Sequence, residues 1–149
     1  MGLRGVIFDL DGVLCYTDRY HFQAWKTLAD RLGLPFDEQL NDRLRGVSRM
    51  DSLEIILSLG DGQYSQAEKE RMAEEKNRQY RTYLRKMGAE DLAPYALNVL
   101  CELKSQGWKL AIGSSSRNAP FILERTGLGG YFDAVVDGNQ ITQSKPDPE

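Results

Sequence analysis

The chain has 149 residues, a formal net charge of −3, two cysteines and one histidine, a length that fits one domain, or one domain carrying a smaller insertion, and buries about 68–70% of its unfolded surface. The acidic balance argues against a nucleic-acid groove or an anionic membrane surface as the main partner, so any basic site must be local. No apolar run approaches the roughly 18 residues of a membrane span, Met1–Arg4 leads into a strand instead of a signal peptide, and Cys15 and Cys101 lack metal-ligand spacing, which suits a reducing cytoplasm.

The first predicted element is the apolar strand Val6-Ile7-Phe8, running into Asp9-Leu10-Asp11-Gly12. Side chains at i and i+2 of a strand share a face, so Asp9 and Asp11 are expected to converge where the strand opens and Gly12 turns the backbone. Asp18–Leu32 then places Phe22, Trp25, Leu28, Ala29 and Leu32 at helical spacing, with Thr17 or Asp18 as N-cap and Gly33 as the stop. A weaker helix is expected over Asp37–Leu44, and a third over Arg49–Leu59, capped by Ser48. Ser65-Gln66-Ala67-Glu68 is a capping box opening a long helix through Met87, with Gly88 closing it. From Pro94 the pattern changes to helix 94–106 with Leu97, Leu100 and Leu103 inward, Gly107 as its cap, and a strand Trp108–Ile112. Ser114-Ser115-Ser116 leads into a helix with Pro120 in its first turn, ending at Gly127; a third strand follows at Ala134–Val136 and then a loop with Lys145-Pro146-Asp147-Pro148. Alternating strands and helices imply a parallel α/β sheet. The helical block between the first strand and that sheet reads as an insertion, giving an α/β core of 1–16 and 93–149 and a helical cap of 17–92.

In an open parallel sheet ligands bind beyond the carboxyl ends of the strands, where Asp9 and Asp11, Ser114–Ser116 and Lys145 are all expected. Two crowded carboxylates need a cation or a shared proton to offset their repulsion, and a hard divalent cation such as Mg2+ suits oxygen ligands. Serine hydroxyls and amides at a helix start suit a phosphoryl group, and Lys145 adds a compensating charge. Asp9 is then a candidate nucleophile forming an aspartyl-phosphate, and Asp11 a candidate acid/base. Other readings stand beside these. Asp-x-Asp-Gly also occurs in calcium loops and surface turns, His21 alone reads as an ordinary helix histidine, and Arg49 alone as a solvated helix-start residue. Lys76 lies in a charge-dense helix and reads equally as a solvated face; Tyr80, Tyr83 and Met87 read as cap core, and the two cysteines as packing.

Asp9-Leu10-Asp11-Gly12, Ser114 after the second strand and Lys145 in Ser-Lys-Pro-Asp-Pro resemble the first three motifs of the haloacid dehalogenase superfamily of phosphotransferases, and the helical insertion resembles its C1-type cap. Within it the chain resembles the β-phosphoglucomutase family through Tyr20-His21-Phe22-Gln23-Ala24-Trp25, Leu44-Arg45-Gly46-Val47-Ser48-Arg49, Lys76-Asn77 and Ser114–Phe121. The resemblance implies a Rossmann-like core with a helical cap, and interconversion of β-glucose 1-phosphate and glucose 6-phosphate through a 1,6-bisphosphate. It implies Asp9 as phosphorylated nucleophile and Mg2+ ligand, and Asp11 as acid/base lending its backbone carbonyl to the metal. Ser114 and Lys145 would hold the transferring phosphate, with Ser115 in the same loop; Arg49, Ser116, Arg117 and Asn118 would hold the distal one. His21 would orient Asp11 and the sugar, Lys76 would contact the sugar, and Thr17 would sit at the hinge.

The resemblance also implies a fourth, acidic motif after a further strand beyond Lys145, and two more strands beside the first. Chain 1–149 therefore reads as an amino-terminal fragment with three strands, a thin metal site and weak or absent activity of its own. The family implies a monomer, whereas an exposed first strand can pair with another chain. The alternatives carried are a sugar-phosphate phosphatase of the same superfamily and a non-catalytic fragment.

Overall fold

Residues Gly2 and Arg4–Glu149 are described by the computed structural model; Met1 and Leu3, and with them part of the expected Met1–Arg4 lead-in, lie outside the described residues. The elements are β1 (Gly5–Phe8), α1 (Asp18–Arg31), α2 (Glu38–Arg43), α3 (Arg49–Leu57), α4 (Gln66–Leu84), α5 (Ala96–Ser105), β2 (Lys109–Gly113), α6 (Ala119–Thr126) and β3 (Ala134–Val136). They fall into two compact units, one holding the chain up to Asp18 and again from Leu84 to Glu149, the other Arg19–Tyr83.

The first unit is built on a parallel sheet of order β1-β2-β3, with Phe8 opposite Ile112 and Ile112 opposite Val135. The register is what positions the site, because the residues that follow all three strands emerge at the same carboxyl edge. Leu110 and Ile112 are buried on one face, whereas Ile7 is 77% exposed on the other and β1 is an edge strand. Parallel sheets are ordinarily covered on both faces. Here the open face forms a shallow apolar groove over Val6, Ile7, Ala111 and Ala134.

Two expectations fail in this unit for physical reasons. Leu97 is 41% exposed, because α5 buries the stripe through Ala96 and Leu100; periodicity gives the spacing of a stripe and leaves its phase to packing. The long helix also ends at Leu84, before Met87 and Gly88. Arg125 of α6 donates to the carbonyls of Arg85 (2.6 Å) and Met87 (3.2 Å), satisfying acceptors just past the helix end. Gly88 is extended and donates to the Asp91 carboxylate instead. Gly107 (φ +79°) and Gly127 (φ +73°) do stop α5 and α6 in the left-handed region as expected. Of the two cysteines, Cys15 is buried and Cys101 is exposed.

In the second unit α1–α4 enclose a core of Trp25, Leu28, Ala29, Phe36, Leu40, Leu44, Leu53, Ile56, Leu57 and Ala73, with Phe22 and Leu32 partly buried against it. Side-chain caps fix the helix starts. Asp37 accepts from Leu40 N at 2.8 Å and Ser48 from Asp51 N at 3.2 Å, while Ser65 and Glu68 exchange the two bonds of the expected capping box. No helix among the described residues is long and apolar enough to cross a membrane. Leu53 is fully buried, and Leu53→Ala is expected to lower the unfolding free energy by about 2–5 kcal/mol, read from the denaturation midpoint.

Candidate active site

At the end of β1 the chain winds tightly on one carbonyl: Val13, Leu14 and Cys15 all donate to Leu10 O, and Gly12, at φ +77°, donates to Cys15 O at 2.8 Å. Only a residue without Cβ adopts that φ cheaply, and the turn holds Asp11 half-buried with Asp9 exposed beside it. Lys145 Nζ lies 2.9 Å from Asp9 Oδ1, joining two residues 136 positions apart. Thr17, expected as a helix cap or hinge, is buried and donates its hydroxyl to Asp11 Oδ1 at 2.5 Å.

These surroundings treat the two carboxylates differently. Burial raises the Asp11 carboxyl above its ordinary value of 3.8, the Thr17 hydrogen bond pulls it back, the Asp9 charge raises it and Lys145 lowers it. The Cys15 thiol is pushed up to about 12 by burial and by the charges of Asp11, Asp91 and Asp9, which makes it a packing residue and no nucleophile. Among the described residues no group of three or more His, Cys, Asp or Glu side chains is placed to hold a metal ion; Asp9 and Asp11 remain a pair.

Beyond β2, Ser114 is buried and its Oγ accepts from Ser116 N at 3.1 Å, while Ser116 Oγ accepts from Asn118 N at 3.1 Å. The loop therefore enters α6 as two nested serine turns, with Ser115 and Arg117 exposed and Asn118 buried. Four residues after β3, unrecognised from sequence, fasten it. Gly138 N donates to Ser116 O at 3.1 Å and Asn139 Nδ2 to Arg117 O at 3.1 Å, and Asp137 Oδ1 accepts from Asn139 N and Nδ2. Gln140 Oε1 accepts from Asp137 N at 2.8 Å. A Cβ on Gly138 would lie 2.3 Å from Ser115 O and 2.9 Å from Arg117 N, so this approach admits glycine only. The signal was the Asp-Gly-Asn run directly after a strand.

The second unit gathers His21, Arg49 and Lys76. Lys76 is buried, contrary to the solvated-face alternative, with Nζ 3.1 Å from His21 Nδ1, 4.4 Å from the Trp25 ring centroid and 4.9 Å from that of Tyr80. His21 stacks on Tyr80 at 4.0 Å. Arg49 is half-buried and donates to Asn77 Oδ1 at 3.1 Å. Burial and the Arg49 charge bring the Lys76 ammonium down to about 7. His21 is held well below its ordinary 6.5, by burial first and then by the Lys76 and Arg49 charges, and is a neutral imidazole. Tyr80 was read only as core, and Trp25 as an apolar helix position and a motif residue, although each stands four residues after His21 or Lys76 on its helix and so shares its face.

A family model described as haloacid dehalogenase-like hydrolase matches residues 3–149. The chain belongs to that family. It is 45% identical over 149 residues to a β-phosphoglucomutase of Bacillus subtilis, covering 99% of this chain and 66% of that one, and 35% identical over 150 residues to a phosphorylated carbohydrates phosphatase of Thermotoga maritima, covering 99% and 67%. A crystal structure of a β-phosphoglucomutase from Clostridium difficile superposes with a TM-score of 0.88 at 38% identity, over 99% of this chain and 67% of that one. This haloacid dehalogenase-like chain thus spans about two thirds of the length of the relatives it matches, and three parallel strands with flanking helices are the part of the fold it holds.

Two outcomes test the geometry of the first unit. A raised Asp11 value means that the folded state holds that proton more firmly than the unfolded chain, so the contribution of this one group to stability is fully present below about pH 3.8 and is lost as pH rises through the folded value. Asp11→Asn is therefore expected to raise the thermal midpoint at pH 7 in metal-free buffer, with the gain shrinking toward pH 3. Gly138→Ala is expected to cost about 1–3 kcal/mol and to shift the backbone amide resonances of residues 115–118.

Proposed function

We propose that the chain carries the phosphotransfer centre of a sugar-phosphate phosphotransferase of the β-phosphoglucomutase type. The observation that supports it most is the unequal carboxylate pair: Asp9 held by the Lys145 cation, and Asp11 beside it with its proton affinity raised. A carboxyl that keeps its proton beside a carboxylate paired with a cation is how a site holds an acid and a nucleophile side by side. In this reading the Asp9 carboxylate oxygen attacks phosphorus, the bond from phosphorus to the sugar oxygen breaks, and that oxygen takes the Asp11 proton. The reverse transfer, to a different hydroxyl of the sugar, returns a proton to Asp11 and frees Asp9. Thr17 orients the Asp11 carboxyl.

Ser114, Ser115 and Lys145 are assigned to the transferring phosphate at the loop and helix start. Ser116, Arg117 and Asn118 are assigned to a second phosphate; in the second unit Arg49 is assigned to a phosphate, and His21 and Lys76 to sugar hydroxyls. Asp9 through its carboxylate and Asp11 through its backbone carbonyl would hold Mg2+: hard oxygen donors suit an ion that is commonly bound through one or two carboxylates, substrate phosphate oxygens and water. Bound there, the ion would neutralise charge on the phosphoryl group.

Hydrolysis of a sugar phosphate is the second reading, favoured by the similarity to the Thermotoga maritima phosphatase. The two share the aspartyl-phosphate and differ in the acceptor, so Arg49→Ala in a full-length protein separates them: a lower ratio of transfer to hydrolysis supports the mutase, an unchanged ratio the phosphatase. With Mg2+ and β-glucose 1,6-bisphosphate, the protein is expected to gain one phosphoryl group by intact mass, and Asp9→Asn none. Asp11→Asn is expected to slow that transfer by about 10²–10⁴-fold. Failure to acquire the group, or its presence on the Asp9→Asn variant, contradicts the proposal.

A further inference from the structure

We propose that Tyr80 and Trp25 are positioning residues of the second unit: their ring faces pin the Lys76 ammonium against His21 Nδ1, which fixes the imidazole as its Nε2–H tautomer. An ammonium carries donors only, so a charged Lys76 at 3.1 Å leaves Nδ1 as acceptor and the ring proton on Nε2. What keeps the ammonium there is aromatic. Its nitrogen stands 4.4 Å from the Trp25 centroid and 4.9 Å from that of Tyr80, both inside the roughly 6 Å reach of cation–π attraction. Tyr80 touches both partners, because the His21 ring lies on it at 4.0 Å with an interplanar angle of 16°. The helical spacing of His21 with Trp25 on α1, and of Lys76 with Tyr80 on α4, builds the box from two faces.

The other charged group acting on the pair is Arg49 of α3, whose guanidinium donates to Asn77 and discourages a positive charge on the imidazole. A ring that is neutral and single in tautomer offers a hydroxyl or phosphate oxygen an oriented N–H without adding a second buried cation. The inference deepens the proposed function and rests on it only for the use made of that N–H.

The chain has one histidine, so its imidazole gives a single set of resonances. At pH 6, where Lys76 with a value of about 7 is charged by about ten to one, long-range proton–nitrogen correlation on the whole chain is expected to show Nδ1 bare and Nε2 protonated. Tyr80→Phe keeps the ring and should keep that pattern. Tyr80→Leu and Lys76→Met should each give both tautomers, with His21 in Tyr80→Leu titrating closer to 6.5. An imidazolium or an Nδ1–H tautomer in the unaltered protein at pH 6 overturns the proposal, as does an unchanged tautomer in Lys76→Met; neither reading needs Tyr80→Leu to fold. No substrate is involved, so a negative result here leaves phosphorylation of Asp9 untouched, and the converse also holds.

Discussion

The constraint on which the first unit depends is the accommodation of two carboxylates at the open end of β1. Left alone, Asp9 and Asp11 would repel each other and lose hydration together. The fold answers with three separate pieces of chain. Gly12 lets the backbone wind on Leu10 O, which turns Asp11 inward; Thr17 gives that carboxyl a hydrogen bond; Lys145 arrives from the far end of the sequence to balance Asp9. The sheet register then brings the serine loop after β2 and the Asp137–Gln140 loop after β3 out at the same edge, where the second clamps the first. None of these contacts is large. Their value is geometric, since they let unlike surroundings act on chemically identical groups.

The second unit meets the opposite difficulty, a buried cation. Lys76 is buried among aromatic rings with Arg49 as a further positive charge, and burial first and that charge second weaken its ammonium. Ring faces recover part of what lost hydration removes. The imidazole of His21 stays neutral in the same surroundings, and accepting a hydrogen bond from Lys76 is the role left to its Nδ1. Two local clusters thus follow from one principle, that burial costs a charge unless something specific faces it.

Much of this was legible in the sequence, and what was legible was local. Gly12, Ser48, the Ser65–Glu68 box, Gly107 and Gly127 announce turns and helix ends because their conformations and hydrogen bonds are made with near neighbours. The Asp9–Asp11 pair and the serine loop were legible for the same reason. Contacts between distant residues were not. Arg125 reaches the Arg85 carbonyl from 40 positions away, and Gly138 shapes a loop more than 20 positions before it. The outward turn of Leu97 depends on which stripe of α5 meets the sheet, and the open face of Ile7 on what lies across it. Lys76 was hidden differently: a lysine among many charged neighbours looks solvated until the aromatic residues at helical spacing are counted with it.

The account turns on Asp11 holding its proton more tightly than an ordinary aspartate because of burial and a neighbouring charge, with Lys145 acting against that rise. Carbon-detected titration of the Asp11 carboxyl, in the unaltered protein and in Lys145→Met, measures this directly. The account expects a midpoint above 3.8 that moves higher once the lysine charge is removed. A midpoint at or below 3.8, or one indifferent to the loss of Lys145, would contradict it.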